Sequence, residues 1–289
     1  MTDTPSPILA VGAGGKFAGL VVPELVKRGA LVRGLVRNDR AGAEVLANGA
    51  TEVAIGDLRD RKNIETALQG VNSVFYIAPA FLPDEAEVGK QLVEAAKQAG
   101  VRRIVFSSVI HPVLSSLGNH AAKAPVEEAI LDSGMEYAFL HPAVFLQNFT
   151  GSWSNVVKAG VFAEPWSTET RFSRVDYRDV AEVAAIALTE DRLNFGTFEL
   201  CAEGHFNRIE IANIMSEVLG REIRAQRLDP AKALAGAGEM AGGLKRMFDW
   251  YDNHGLLGSA LTLRAILGRE PRTLRAYIEE LAATAQAAA

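Results

Sequence analysis

Residues 8–29 read ILAVGAGGKFAGLVVPELVKRG. A short apolar run meets a cluster of glycines, Gly12, Gly14, Gly15 and Gly19, and then turns into an amphipathic helical pattern. Gly12, Gly15 and Ala18 form a GxxGxxA spacing between a strand and a helix. The first glycine permits a tight turn, the second lets backbone N–H groups approach a pyrophosphate, and the small third residue allows close helix–strand packing. The helix start adds unpaired N–H donors and the positive end of a dipole. A strand–turn–helix of this kind predicts dinucleotide binding when it lies inside a βαβ unit.

The neighbouring sequence supplies that context. PILAVG, LVRGLVR, TEVAIGD, SVFYIAP, RIVFSS and EYAFLHP read as strands. Helical patterns lie between them, most clearly EVGKQLVEAAKQAG and KAPVEEAILDSG, each ending at a glycine suited to a C-cap. Nearly all-apolar strands alternating with helices indicate a parallel sheet covered on both faces. The predicted class is therefore α/β: a Rossmann-like, doubly wound parallel sheet with a smaller, mostly helical C-terminal substrate domain. Residues 1–145 form the sheet domain, 176–200 return to it, and 146–175 with 201–289 form the smaller region. Within these, VDYRDVAEVAAIALTED and NRIEIANIMSEVLG read as helices and GTFELCAE as a strand. Residues 229–289 read as mostly helical with a break at GREPRT, and the tail AATAQAAA is expected to fray.

Composition narrows the function classes. The 289 residues are 48% hydrophobic and 22% charged, with a formal net charge of -5 and basic residues scattered among acids, so a nucleic-acid-binding face has no support. Cys201 is the single cysteine, which excludes an intrachain disulfide and a thiolate-rich metal site. His111, His120 and His141 show no ligand-like spacing, and no metal is expected. The polar start MTDTPSP lacks a secretory pattern, and no apolar run is long enough to span a bilayer. A reducing cytoplasm fits these features.

The end of the second strand discriminates between cofactors. An acid there binds a ribose 2′-hydroxyl, whereas arginine accepts a 2′-phosphate. LVRGLVRNDR places Arg37 at that point, followed by Arg40, and so favours NADP(H). Asp39 keeps NAD(H) open as the alternative. Asp57 and Leu58 end the third strand, where an adenine would lie, although Asp57 could instead cap the next helix. Lys16 and Phe17 stand where the turn meets the cofactor.

Together these segments resemble the NmrA-like branch of the atypical short-chain dehydrogenase/reductases. The resemblance is carried by the glycine-rich turn, VRGLVRN, GATEVAIGDLRD, ALQGVNSVFYIAP, AAKQAGVRRIVFSS, KAPVEEAILDSGMEYAFLHPAVFLQNF and VDYRDVAEVAAIALTED, and it extends into YDNHGLLG and LRAILGREPRTLRAYIEELA. It implies a Rossmann-like domain binding NAD(P), usually NADP(H), and a small substrate domain. Members are either reductases of quinones, dyes or aromatic compounds, or redox-sensing regulators. This chain has Gly14 where the family often has Thr, and His141 where it often has Arg.

Main-branch relatives of that family use Tyr-x-x-x-Lys for proton exchange. Asn119 stands four residues before Lys123, so the tyrosine is missing. In isoflavone-reductase-like relatives a lysine at this place acts as acid/base and contacts the nicotinamide ribose, a role the resemblance carries to Lys123. The plainer alternative is a surface lysine paired with Glu127 at i+4. His120, on the same helix face as Lys123, is a candidate proton donor. His111 and Ser107 with Ser108 follow the fifth strand, where ligands gather in such folds. Ala78 and Pro79 end the fourth strand beside the cofactor. Phe145 and Asn148 match the family segment lining the nicotinamide pocket, with His141, His111 and Asn148 as substrate candidates. The leading expectation is an NADP(H)-dependent reductase of a small carbonyl, quinone, imine or aromatic substrate. The alternative is a non-catalytic NADP(H) sensor acting through a protein partner, and homodimerisation is open.

Overall fold

A computed structural model describes residues 6–79 and 81–287. The first half alternates strictly: β1 (Ile8–Val11), α1 (Ala18–Lys27), β2 (Val32–Val36), α2 (Asp39–Ala47), β3 (Glu52–Ile55), α3 (Arg61–Leu68), β4 (Ser73–Ile77), α4 (Glu85–Gln98) and β5 (Arg103–Ser107). A short α5 (Gly118–Ala121), then α6 (Ala124–Ser133), lead to β6 (Glu136–Pro142). After β7 (Val144–Phe145), α7 (Phe149–Ala159), β8 (Val161–Glu164) and β9 (Phe172–Val175) come α8 (Tyr177–Thr189) and β10 (Gly196–Leu200). The chain closes with β11 (His205–Phe206), α9 (Arg208–Leu219), β12 (Arg224–Arg227), α10 (Pro230–Leu234), α11 (Ala241–Tyr251), α12 (Leu261–Leu267) and α13 (Leu274–Ala287).

Two units are distinguished. The first comprises residues 1–113, 120–141 and 180–198; the second comprises 114–119, 142–179 and 199–289. The first unit carries a seven-stranded sheet in the order β10-β6-β5-β4-β1-β2-β3. Pairing is parallel from β3 through to β6, with β1 flanked by β2 and β4. The chain steps from β1 outward through β2 to β3, then returns to place β4 on the other side of β1. This is the strand order of a doubly wound nucleotide-binding sheet, and the reversal between β1 and β4 is its topological switch point. Leu9, Val74 and Phe106 are fully buried on the sheet, and Leu92, Val126 and Ile130 are fully buried on the helices that cover it. Burying each such side chain contributes about 1.5–3 kcal/mol.

Arg103 anchors the far edge of this unit. Its side chain is 1% exposed and donates to Glu136 at 2.7 Å and to the carbonyls of Ala187 and Glu190 at 3.0 and 2.8 Å. It therefore ties β5 to the end of α8, whose Val180, Ala181, Val183 and Ala184 are fully buried.

The second unit holds short strands that the sequence pattern does not reveal. β9 pairs with β7 in parallel and with β11 antiparallel, and β12 pairs with β8 in parallel. Phe149, Phe162, Ile211, Met215 and Ile278 form its core. The break at GREPRT has a use within this unit: Arg269, at 2.9 Å, and Arg272 both pair with the buried Asp179. The tail expected to fray is instead helical as far as Ala287, and Ala288 and Ala289 lie outside the described residues.

Candidate active site

The glycine-rich turn leaves β1 at the switch point. Gly12 has φ of +72°, a conformation that L side chains rarely adopt. Its carbonyl accepts the Gly15 N–H at 2.8 Å, and a Cβ on Gly15 would lie 3.0 Å from that same oxygen. Gly14 has a different reason. A Cβ there would come within 2.9 Å of the Ala41 Cβ, so this glycine admits α2 against the turn. Helix α1 then starts with no side-chain cap and no acid in its first turn. A backbone cradle at an uncapped helix start, with no competing carboxylate, fits a dinucleotide pyrophosphate. Lys16 and Phe17 follow directly, with the Lys16 Nζ 5.8 Å from the Phe17 ring centre.

The other strand ends in the first unit contribute along the same edge. Arg37 is exposed immediately past β2, whereas Arg40 is tied to Glu44 at 3.2 Å. Asn38 caps α2 by accepting the Ala41 N–H at 3.0 Å, which leaves Asp39 as the acid of the first helical turn. Arg37 is thus the cation of this loop that is not engaged along the helix. Asp57 accepts the Arg59 N–H at 2.8 Å in a tight turn after β3, and Asp60, not Asp57, caps α3. Leu58 packs on the core, Ala78 is buried at the end of β4, and Pro79 beyond it is exposed. Ser107, the last residue of β5, is fully buried.

Around Lys123 the structure departs from expectation. α5 stops at Ala121 and α6 begins at Ala124, so Lys123 is the N-cap residue between two helices. It is buried, and its Nζ pairs with Glu85 of α4 instead of Glu127. Both members are sequestered, with side-chain exposures of 6% and 2%. Burial raises the Glu85 carboxyl above its usual range, opposed by Lys123 and by the Phe81 N–H that donates to it at 3.0 Å. Glu127 serves another cluster: it accepts from the Ser108 hydroxyl at 2.5 Å and from His141 Nε2 at 2.9 Å. His141 is therefore held on a carboxylate.

His120 does not suit the proton-donor role expected of it. The ring is fully buried, and its Nδ1 lies 3.2 Å from the carbonyl of His111, itself at φ of +53°. Burial lowers its pKa to about 4, so the imidazole is neutral at neutral pH. The Nδ1 contact assigns the ring proton to that nitrogen, leaving Nε2 as a buried acceptor with no partner among the described residues. The buried phenol of Tyr76 on β4 also has no hydrogen-bond partner among the described residues; burial and the charge of Glu85 push it up, away from service as an acid. Phe145 and Asn148 belong to the second unit, Phe145 edge-on to Tyr177 with ring centres 4.8 Å apart and Asn148 exposed. Glu85 is the member of the buried cluster that the sequence reading missed. Acids in a helix's first turn, here Glu85 and Glu87, ordinarily read as dipole partners in solvent.

A parallel α/β sheet with a glycine cradle at its switch point, an arginine at the end of β2 and a buried lysine behind β5 defines a dinucleotide-binding protein of the Rossmann type. The NmrA-like family model matches residues 4–280, and the chain belongs to that family. An NAD(P)H azoreductase from Xenophilus azovorans is 30% identical over 290 residues, covering 97% of this chain and 100% of that protein. Quinone oxidoreductase 2 of Escherichia coli is 26% identical, covering 95% and 98% of the two chains. The crystal structure of the E. coli NADPH-dependent quinone oxidoreductase complexed with NADPH matches with a TM-score of 0.83 at 25% identity, over 95% of this chain and 99% of that one. No group of three or more His, Cys, Asp or Glu among the described residues could hold a metal ion, and no helix there is long and apolar enough to cross a membrane.

Proposed function

We propose that this chain is an NADP(H)-dependent reductase whose substrate is a quinone or a similarly conjugated electrophile, and that Lys123 is its cofactor-contacting residue. Oxidoreduction with NADP(H) follows from the relatives, which are an NAD(P)H azoreductase and a quinone oxidoreductase. The observation that carries the reading is the glycine turn at the switch point with Arg37 on the next strand.

In this reading the turn and the start of α1 hold the pyrophosphate, and Arg37 takes the 2′-phosphate. Asp57 and Leu58 border the adenine, while Ala78, Pro79 and Ser107 border the nicotinamide half. The cofactor supplies a hydride when bound. The protein's part is orientation, exclusion of water and delivery of one proton to the reduced oxygen. Lys123 donates hydrogen bonds to the nicotinamide ribose and is the candidate source of that proton, since His120 is neutral and Tyr76 is held protonated. Phe145 is assigned to the nicotinamide pocket, and His111, His141 and Asn148 are assigned to substrate binding. A cytoplasmic location and a homodimer belong to the same proposal.

The missing helix tyrosine, replaced by Asn119, favours a second reading as an NADP(H) sensor. Steady-state oxidation of NADPH with a panel of quinones, azo dyes and triarylmethane dyes separates the two. Turnover with any class supports the reductase. Tight NADPH binding with complete inertness across the panel points to the sensor.

A further inference from the structure

Helices α4 and α6 meet along an apolar seam of Val88, Leu92, Val126 and Ile130, all buried. Gly89 makes the close approach: a Cβ there would fall 2.5 Å from the Val126 side chain and 3.3 Å from the Tyr76 hydroxyl. At the end of this seam, behind the carboxyl ends of β4 and β5, lies the Glu85–Lys123 pair. An apolar pair of the same volume would serve such a seam at least as well, because a buried ion pair gives little net stability over a hydrophobic replacement. A buried ammonium without a counter-charge, however, is strongly disfavoured.

Glu85 is itself over-determined. One carboxylate oxygen takes Lys123 and the other takes the Phe81 N–H at 3.0 Å. Phe81 adopts φ of +66°, rare for a bulky side chain, so the loop after β4 is shaped around this contact. Two buried titratable groups beside the pair supply no counter-charge. Tyr76 from β4 is held as a protonated phenol and His120 as a neutral imidazole.

We propose that Glu85 is the positioning residue for Lys123: it holds the lysine ammonium, charged and fixed in place, behind the ends of β4 and β5, and acts in the reaction only through that lysine. This rests on the reductase reading above. Glu85 touches neither cofactor nor substrate in it.

The test compares Glu85→Gln, Lys123→Met and the double variant in the full-length chain, with menadione as the quinone. In wild type, a lysine ammonium signal protected from solvent exchange should appear in a proton–nitrogen correlation spectrum and vanish in Lys123→Met. Glu85→Gln should lose that signal too. Its kcat should fall about tenfold or more while the menadione KM changes less than about twofold, since general-acid groups contribute to the chemical step. The double variant should be no slower than Lys123→Met within about a factor of two, because the two act as a unit. Glu85→Asp, which keeps the carboxylate, should recover part of kcat and guards against a Gln variant that fails to fold. A retained ammonium signal in Glu85→Gln, multiplied losses in the double variant, or an Asp variant as slow as Gln would each overturn the assignment. If wild type oxidises no NADPH with any quinone, the reductase reading fails instead, and the ammonium signal still decides whether Glu85 fixes Lys123.

Discussion

The burial of His120 makes a quantitative claim about stability and pH. Its folded pKa is depressed to about 4 from 6.5, because the fully buried ring is stripped of water. A depressed pKa means that the unfolded chain binds the proton more tightly. The stabilisation is therefore complete above the unfolded value near 6.5 and is lost as pH falls towards about 4. Integrating between those two values gives about 2 kcal/mol lost at about pH 5 and about 3 kcal/mol at full protonation. The perturbation is His120→Gln, which keeps a polar side chain of similar size but cannot titrate. Urea unfolding of wild type and variant at neutral pH and at about pH 5 isolates the term, since all other groups titrate alike in both. Wild type should lose about 2 kcal/mol more than the variant over that interval. Equal losses, within about 0.5 kcal/mol, would refute the neutral, buried imidazole and restore His120 as a candidate acid.

Two further outcomes follow from named contacts. Arg37→Met should weaken NADPH about ten- to a hundredfold in calorimetric titration while leaving NADH nearly unchanged, because a charge-assisted bond to a phosphate contributes about 1.5–3 kcal/mol; equal weakening of both cofactors would remove Arg37 from the 2′-phosphate. Arg103→Met should destabilise the chain by about 3–5 kcal/mol in denaturant unfolding, since it strips two backbone carbonyls and the Glu136 carboxylate of a buried donor. A loss below about 1 kcal/mol would show that Arg102, 2.9 Å from Glu136, suffices.

The sheet was legible because its signals are local. Each strand from β1 to β6 is an apolar run closed by turn residues, and each helix carries its own stripe and stop, as Gly134 at φ of +75° does for α6. Gly12 could be read for the same reason, since a positive φ constrains one residue. Lys123 was legible as a position but not as an environment. Its expected partner at i+4 presumed one continuous helix, and the break before Ala124 turns the side chain towards α4. Glu85 lies 38 residues away in sequence, and only the close approach of α4 and α6 at Gly89 brings it in. Gly89, an unprompted glycine inside a helical pattern, was the signal available. The burial of His120 left no trace in the sequence. In the second unit, strands such as Val144–Phe145 and His205–Phe206 are two residues long, too short for any period to register.

The central claim is that this chain carries NADPH in the glycine cradle and passes its hydride to a conjugated acceptor. Anaerobic stopped-flow mixing of the NADPH-loaded protein with menadione measures it directly. One equivalent of nicotinamide absorbance per chain should disappear in a single phase much faster than free NADPH reacts, and Gly12→Val, which should load poorly, should lose that phase. Bound NADPH that survives no less long than free NADPH in the presence of menadione and of the azo and triarylmethane dyes would contradict the account.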